Sequence, residues 1–539
     1  MEPKASSLRI RKSWVIFLSL LYLALPNIIM MMGWVKPIPA CLIIIGIIAS
    51  LLYYAVTELK SEPGRFIPLN SGSLILLIFT SLLLAVPFVH DGLIGLFETG
   101  WDYHISRQAY FSNLVDAPFP VIYPDGSTMT YYNGMYMVPV VLSRLLELHP
   151  SDGDMAAQYI LLGWLILGMM LAFLLVFVHR RKISLLFVFL ALFMADPLMV
   201  WWGTEGGKAT VGEFTNYISE LLGTDCWPIK SHVSRYSLFS LTNVAGCYTS
   251  NVPALIAIAL IINVRRCHNF IVPFTLSMLF FSSPLGALGC VPFALFTYDF
   301  RQWLNIRGVF YSSLFILLPT LMLVVAAVYY SRVDVFYSSD SGTVSLSTVF
   351  SMHGFKGMLF VFLGVLLPAI LLYCPLRKYF FISRNIKLSL LAIITFSQIW
   401  FGGAIFQLNE LWLKTCLIYS FALAVYTAYL WPKLGRDKYI PMIISIGIMI
   451  TYTSSFVSRY TGQNYVEDDC NGHLYHDRDG RLVSRPDLID GLLYTKSGES
   501  EKHFPSSMLP KGRGCDYSRP LLKPVKPNQN SHNQTSTSR

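Results

Sequence analysis

Residues 14–57 read WVIFLSLLYLALPNIIMMMGWVKPIPACLIIIGIIASLLYYAVT and carry one charge, Lys36. Two apolar runs, 14–33 and 37–57, flank that lysine. Each has about the 20 residues a membrane-spanning helix needs. The pattern continues at 71–89, 157–178, 183–202, 251–264, 269–283, 284–298, 308–330, 356–374, 388–404, 411–430 and 439–457. The three runs between 251 and 298 are short. The pair at 269–298 is split by Ser282, Ser283 and Pro284, and reads as one hairpin or one kinked helix. The number of spans is accordingly twelve or thirteen.

The composition agrees. The 539 residues are 54% hydrophobic and 13% charged, against about 25% charged in a soluble domain. A disordered chain is excluded and a soluble enzyme is disfavoured. The expected class is an all-α, polytopic transmembrane helix bundle in a lipid bilayer. The first run follows Arg9, Arg11 and Lys12 but has no A-x-A cleavage site, so it reads as an uncleaved span.

The net charge is +10. Basic cytoplasmic loops account for it, and no basic run with interleaved aromatics points to nucleic acid. With the N-terminus cytoplasmic and 269–298 a hairpin, the basic segments fall inside: Lys60/Arg65, Arg180–Lys182, Arg265/Arg266, Arg301/Arg307, Arg377–Lys387 and Lys433–Lys438. Loops 90–156, 201–250 and 331–355 then lie outside. Loop 90–156 holds only two basic residues, Arg107 and Arg144. The expected organisation is a transmembrane module over 1–457 and an external polar segment over 458–539, disordered after about 520 on its Pro/Asn/Ser/Thr content. Nine cysteines include no CxxC, so no zinc or redox motif is present. Cys470 and Cys515, both in the external segment, are candidates for a disulfide.

Loop 90–156 is too long to be a mere connector. Two stretches in it have helical patterning and are expected as helices lying on the outer leaflet. Over 102–115, Asp102, Arg107 and Asn113 share a polar side. Over 131–148, Tyr132, Met135, Val138, Val141, Leu145 and Leu148 form an apolar stripe. Pro118, Pro120, Pro124 and Gly126 separate them. Glu98, Asp102 and His104 crowd beside Trp101 and Tyr103, directly after a span. Partial desolvation at a membrane surface can raise a carboxylate's pKa, and such a group can act as a general base on a hydroxyl. The alternative is an ordinary solvated acidic loop. Asp102 and His104 at i, i+2 make a poor metal pair, so the cofactor is none or a divalent metal of unknown site.

Other motifs are weaker. GTEGGKAT (203–210) lacks the spacing of a phosphate-binding loop, and Ala209 follows Lys208. Glu410 and Lys414 stand at i, i+4 at the edge of a span, as a structural ion pair or a coupling site.

The run WDYHISRQAYFSNLV…FPVIYPDGSTMTYYNGMYMVP resembles bacterial membrane glycosyltransferases of the C-type fold (GT-C), in an uncharacterised subgroup. The matching positions are Asp102, His104, Leu114, Phe119-Pro120, Tyr131-Tyr132 and Pro139. Two features differ. Three spans precede the loop where family members usually have one, and the acidic position is a single Asp, not an Asp-Glu pair. The resemblance implies a bacterial inner-membrane enzyme that moves a sugar from a polyprenyl-phosphate donor to an external glycan or lipid acceptor. It makes Asp102 the base, with His104 and Glu98 beside it in the catalytic set. A carrier phosphate needs cations near the outer leaflet. The candidates are Arg235 and Arg332, each among aromatics, with Arg107 and Lys356; guanidinium meets phosphate in a bidentate way. Two other classes stay open: an O-antigen-type polymerase or ligase relying on loop Arg and His, and a lipid-linked oligosaccharide flippase or transporter.

Overall fold

The computed structural model describes residues 8–59, 66–90, 111, 114–121, 132–148, 156–179, 251–263, 271–297 and 306–330, with isolated positions 418, 421, 422 and 425. Within them the chain is overwhelmingly helical. Helix α1 spans Lys12–Trp34 and α2 spans Pro37–Tyr54. Their boundary is set by Lys36 and by Pro37, which occupies the first helical position, where its missing N–H costs nothing. The short link makes α1 and α2 antiparallel neighbours. Tyr54 Oη, at the end of α2, donates to Ser13 O at the start of α1 (3.4 Å), and its ring stacks on Phe17. A wider π-type turn, Ala55–Leu59, ends α2.

The all-α expectation needs one correction. Strand β1 (Leu8–Arg11) pairs antiparallel with β2 (Phe66–Leu69), Leu8 opposite Leu69 and Arg11 opposite Phe66. The pair ties the start of α1 to the start of α3 (Ser71–His90). Asn70 opens α3, its Oδ1 accepting from Ser73 N at 2.8 Å, as an N-cap residue does.

Further on lie α4 (Met137–Leu145), α5 (Ala156–His179), α6 (Asn251–Asn263), α7 (Ile271–Met278), α8 (Pro284–Thr297) and α9 (Ile306–Tyr330). Residues Val252–Ile262 of α6 are all buried. A helix apolar on every side belongs inside a bundle, and α6 packs against α1, α5, α7 and α8. On α5, Gly168 admits two neighbours: a Cβ there would sit 2.5 Å from both Tyr22 Oη of α1 and Val252 Cγ1 of α6. Tyr22 stacks on Trp164, centroids 4.0 Å apart, and donates to Trp164 O. Small residues allow such close approach in the absence of a driving force from water.

Among the described residues, three helical stretches are long and apolar enough to cross a membrane: Lys12–Trp34, Pro37–Thr57 and Tyr159–Val176. The outer face of α2 exposes Ile38 (77%), Leu42 (61%), Ile45 (63%) and Leu52 (59%). An apolar stripe of that length suits lipid far better than water. Three buried or part-buried serine hydroxyls are turned back onto their own helix backbone: Ser19 on Val15 O, Ser50 on Gly46 O, Ser277 on Phe274 O. That is the economical arrangement where no water is at hand. The expected runs at 183–202, 356–374, 388–404 and 439–457, the run 411–430 apart from positions 418, 421, 422 and 425, loops 201–250 and 331–355, and the segment 458–539 lie outside the described residues.

Candidate functional site

Glu98, Asp102, His104, Arg107, Arg235, Arg332 and Lys356 all lie outside the described residues, as do Glu410, Lys414, Cys470 and Cys515. The structure does describe the part of the same loop that follows Asp102 in the chain, and shows what it rests on.

Phe111 and Leu114–Asp116 are helical, with Phe111 and Leu114 fully buried. At these positions this agrees with the helix expected over 102–115. The carbonyls of that helical end meet Arg144 from α4. Arg144 Nε donates to Val115 O (3.0 Å), and Nη2 donates to Leu114 O (2.6 Å) and to Ala117 O. The guanidinium lies 3.9 Å from the centroid of the Phe119 ring. Phe119 leans on Trp34 (4.7 Å) and covers Gly33, the last turn of α1. One arginine therefore closes an orphaned helix end and clamps the loop onto α1. Burial pushes its pKa down to about 10, and the nearby Asp116 charge works the other way. Arg144 remains cationic at neutral pH.

The expected stripe over 131–148 is corrected by this contact. Tyr132, Met135, Tyr136, Met137, Pro139, Val140 and Ser143 are buried, while Leu145 is 74% exposed. Val138, Val141 and Leu148 are only partly buried. The physical reason is Arg144: turning its guanidinium inward rotates α4, and the leucines beside it, Leu142, Leu145 and Leu146, face out.

A tight turn at Asn133–Tyr136 precedes α4 and reaches the junction of α7 and α8. Gly134 N donates to Phe281 O at 3.1 Å. Asn133 Nδ2 donates to Tyr329 Oη of α9 at 2.9 Å, and Tyr329 packs edge-on against Phe281. The junction is an interruption. Helices α7 and α8, of 8 and 14 residues, rise about 12 and 21 Å, each short of a bilayer's roughly 30 Å. Between them Leu279–Ser283 forms a turn in which Ser282 N and Ser283 N both donate to Leu279 O. Pro284 ends the first helix sense and starts the next. From α1, Asn27 Nδ2 donates to Met278 O at 2.8 Å and to Leu23 O at 2.7 Å.

The ends of α1 and α9, the α7–α8 interruption and the second half of the loop thus converge. Sequence reading found Ser282, Ser283 and Pro284 as a break but missed Asn27, Asn133, Gly134 and Arg144. Asn27 had a signal: it is the lone amide in an apolar run, directly after Pro26. Among the described residues no group of three or more His, Cys, Asp or Glu is placed to hold a metal.

Arg144→Met is expected to lower stability by at least the about 1.5–3 kcal/mol of one charge-assisted hydrogen bond. Arg144→Lys should lose nearly as much, because an ammonium cannot reproduce the planar fork. Limited proteolysis between residues 114 and 148 reads the effect. Cleavage at the unmutated rate in both variants would remove the clamp.

No protein-family model, curated protein or solved structure matches this sequence.

Proposed function

We propose that this chain is a multi-spanning membrane glycosyltransferase that takes a sugar from a polyprenyl-phosphate donor. Asp102 serves as the base, with His104 and Glu98 beside it, and Arg235, Arg332, Arg107 and Lys356 are the candidates for the carrier phosphate. The observation that carries the reading is the docking of residues 114–121 and 132–148 on one end of the bundle. Three contacts hold that segment to the bundle, Phe119 to Trp34, Asn133 to Tyr329 and Gly134 to Phe281, and Arg144 joins its two parts through the carbonyls of 114–117. A loop so fastened is a built platform, and in sequence it follows directly on Glu98, Asp102 and His104. Leu142, Leu145 and Leu146 on its outer side suit the surface of a bilayer.

The same contacts support a single sidedness. Loop residues 119 and 133 meet the C-terminal ends of α1 and α9, which the charge distribution assigns to the external face. Introduced cysteines at Ser127 and Ser497 should therefore react with a membrane-impermeant maleimide in intact cells. Reaction only after permeabilisation would reverse the orientation and take the catalytic residues away from an external acceptor.

A second reading, transporter or flippase of lipid-linked saccharides, draws on the interrupted α7–α8 pair, since broken helices with buried polar groups often line transport sites. Deleting the gene and reading envelope glycans and lipid-linked precursors by mass spectrometry separates the two. A transferase leaves an acceptor short of one sugar and its lipid donor in excess. A flippase leaves the complete lipid-linked saccharide on the cytoplasmic face. Unchanged glycans and precursors would refute both.

A further inference from the structure

The α7–α8 interruption lies among apolar helices, yet polar side chains gather on it. Asn27, Asn133, Thr275, Ser282 and Ser283 are all buried. Four of their oxygens accept no hydrogen bond among the described residues: Asn27 Oδ1, Asn133 Oδ1, Thr275 Oγ1 and Ser283 Oγ. The orientation of Asn27 is settled by chemistry. Its Nδ2 already faces the carbonyls of Leu23 and Met278, and a flipped amide would set oxygen against both of them. Its Oδ1 is consequently a committed acceptor with nothing to accept among the described residues, which is costly in a buried place.

We propose that this interruption binds a dehydrated monovalent cation, of the size of Na⁺, through neutral side-chain and carbonyl oxygens. Three arguments select that class. First, the unpartnered oxygens are inaccessible to solvent, so a ligand larger than a bare ion or one water is excluded. Second, α7 ends at Met278, and the C-terminal end of a helix carries partial negative charge that favours cations. Third, the donors are neutral; calcium is normally bound with carboxylates in the set and magnesium keeps its waters, whereas carbonyl and hydroxyl oxygens at unwound helix ends suit alkali ions. The inference stands independently of the sugar-transfer reading.

A single buried water is the rival occupant, and the cation dependence of stability distinguishes them. The experiment uses the full chain purified in detergent, with choline replaced stepwise by sodium or potassium at constant ionic strength. A bound cation gives a saturable rise in Tm of about 5 °C once the ion is well above its Kd. Ser283→Ala removes one neutral donor oxygen and should move half-saturation at least about tenfold higher. Asn27→Leu should abolish the response. If Asn27→Leu does not fold, the wild-type titration and Ser283→Ala decide between them. Equal Tm in choline, sodium and potassium overturns the proposal in favour of water. So does a response that requires a divalent ion, or one that neither Asn27→Leu nor Ser283→Ala alters.

Discussion

Asp102→Asn is expected to leave expression and membrane insertion intact and to cut sugar transfer by about 10²–10⁴-fold, the usual contribution of a positioned general base. The acceptor hydroxyl must lose its proton as the anomeric carbon is attacked, and a hydroxyl is a weak nucleophile at neutral pH. Asn keeps the shape of Asp and removes the base. Glu98→Gln should do far less, because Glu98 stands nearer the preceding span and has no histidine beside it. The assay is transfer from lipid-linked donor to acceptor in isolated membranes, once the glycan has been identified by deletion. Near-normal turnover in Asp102→Asn together with loss in Arg235→Ala would reject the base mechanism. The polymerase or ligase reading, which relies on loop arginines, would then lead.

The second large effect belongs to stability. Gly134→Val should unseat the loop from the bundle. A Cβ at Gly134 would lie 2.9 Å from both Phe281 C and Phe281 O, and would also collide with Ser282 Oγ. The first two are backbone atoms of the α7–α8 turn, which cannot swing aside as a flexible side chain does. Relief requires the turn at 133–136 to back away. That breaks the Gly134 N–Phe281 O bond and strains the neighbouring Asn133–Tyr329 bond. Overpacking costs about 1–3 kcal/mol, and leaving a buried carbonyl unpaired costs about 1–3 kcal/mol more. Gly163→Ala on α5 is the control. Nothing lies within 4 Å of a Cβ there, so the change should be neutral or slightly stabilising, Ala being the better helix former. The readout is the midpoint of thermal or denaturant unfolding in detergent. A Gly134→Val midpoint level with that of Gly163→Ala would show that the loop does not rest on the interruption.

The helices themselves were legible because they depend on local chemistry. A run of about 20 apolar residues has few alternatives to a helix where backbone groups must find internal partners. The expected runs 14–33, 71–89, 157–178 and 308–330 accordingly match helices Lys12–Trp34, Ser71–His90, Ala156–His179 and Ile306–Tyr330 within one to two residues at each end. The break at Ser282–Pro284 was visible for the same reason: proline's missing N–H acts on its own neighbourhood. Other features depended on partners distant in the chain. Strands Leu8–Arg11 and Phe66–Leu69 exist only because they meet. The inward face of 132–148 follows from Arg144 finding the carbonyls of 114–117, against the rotation that its leucine spacing implied. Asn27 with Met278, Asn133 with Tyr329, and Gly134 with Phe281 join residues 251, 196 and 147 positions apart. Apolar periodicity registers how far each helix extends and that it shuns water. It is silent on which buried oxygen meets which donor, because such a match is a property of two surfaces brought together and neither segment encodes it alone.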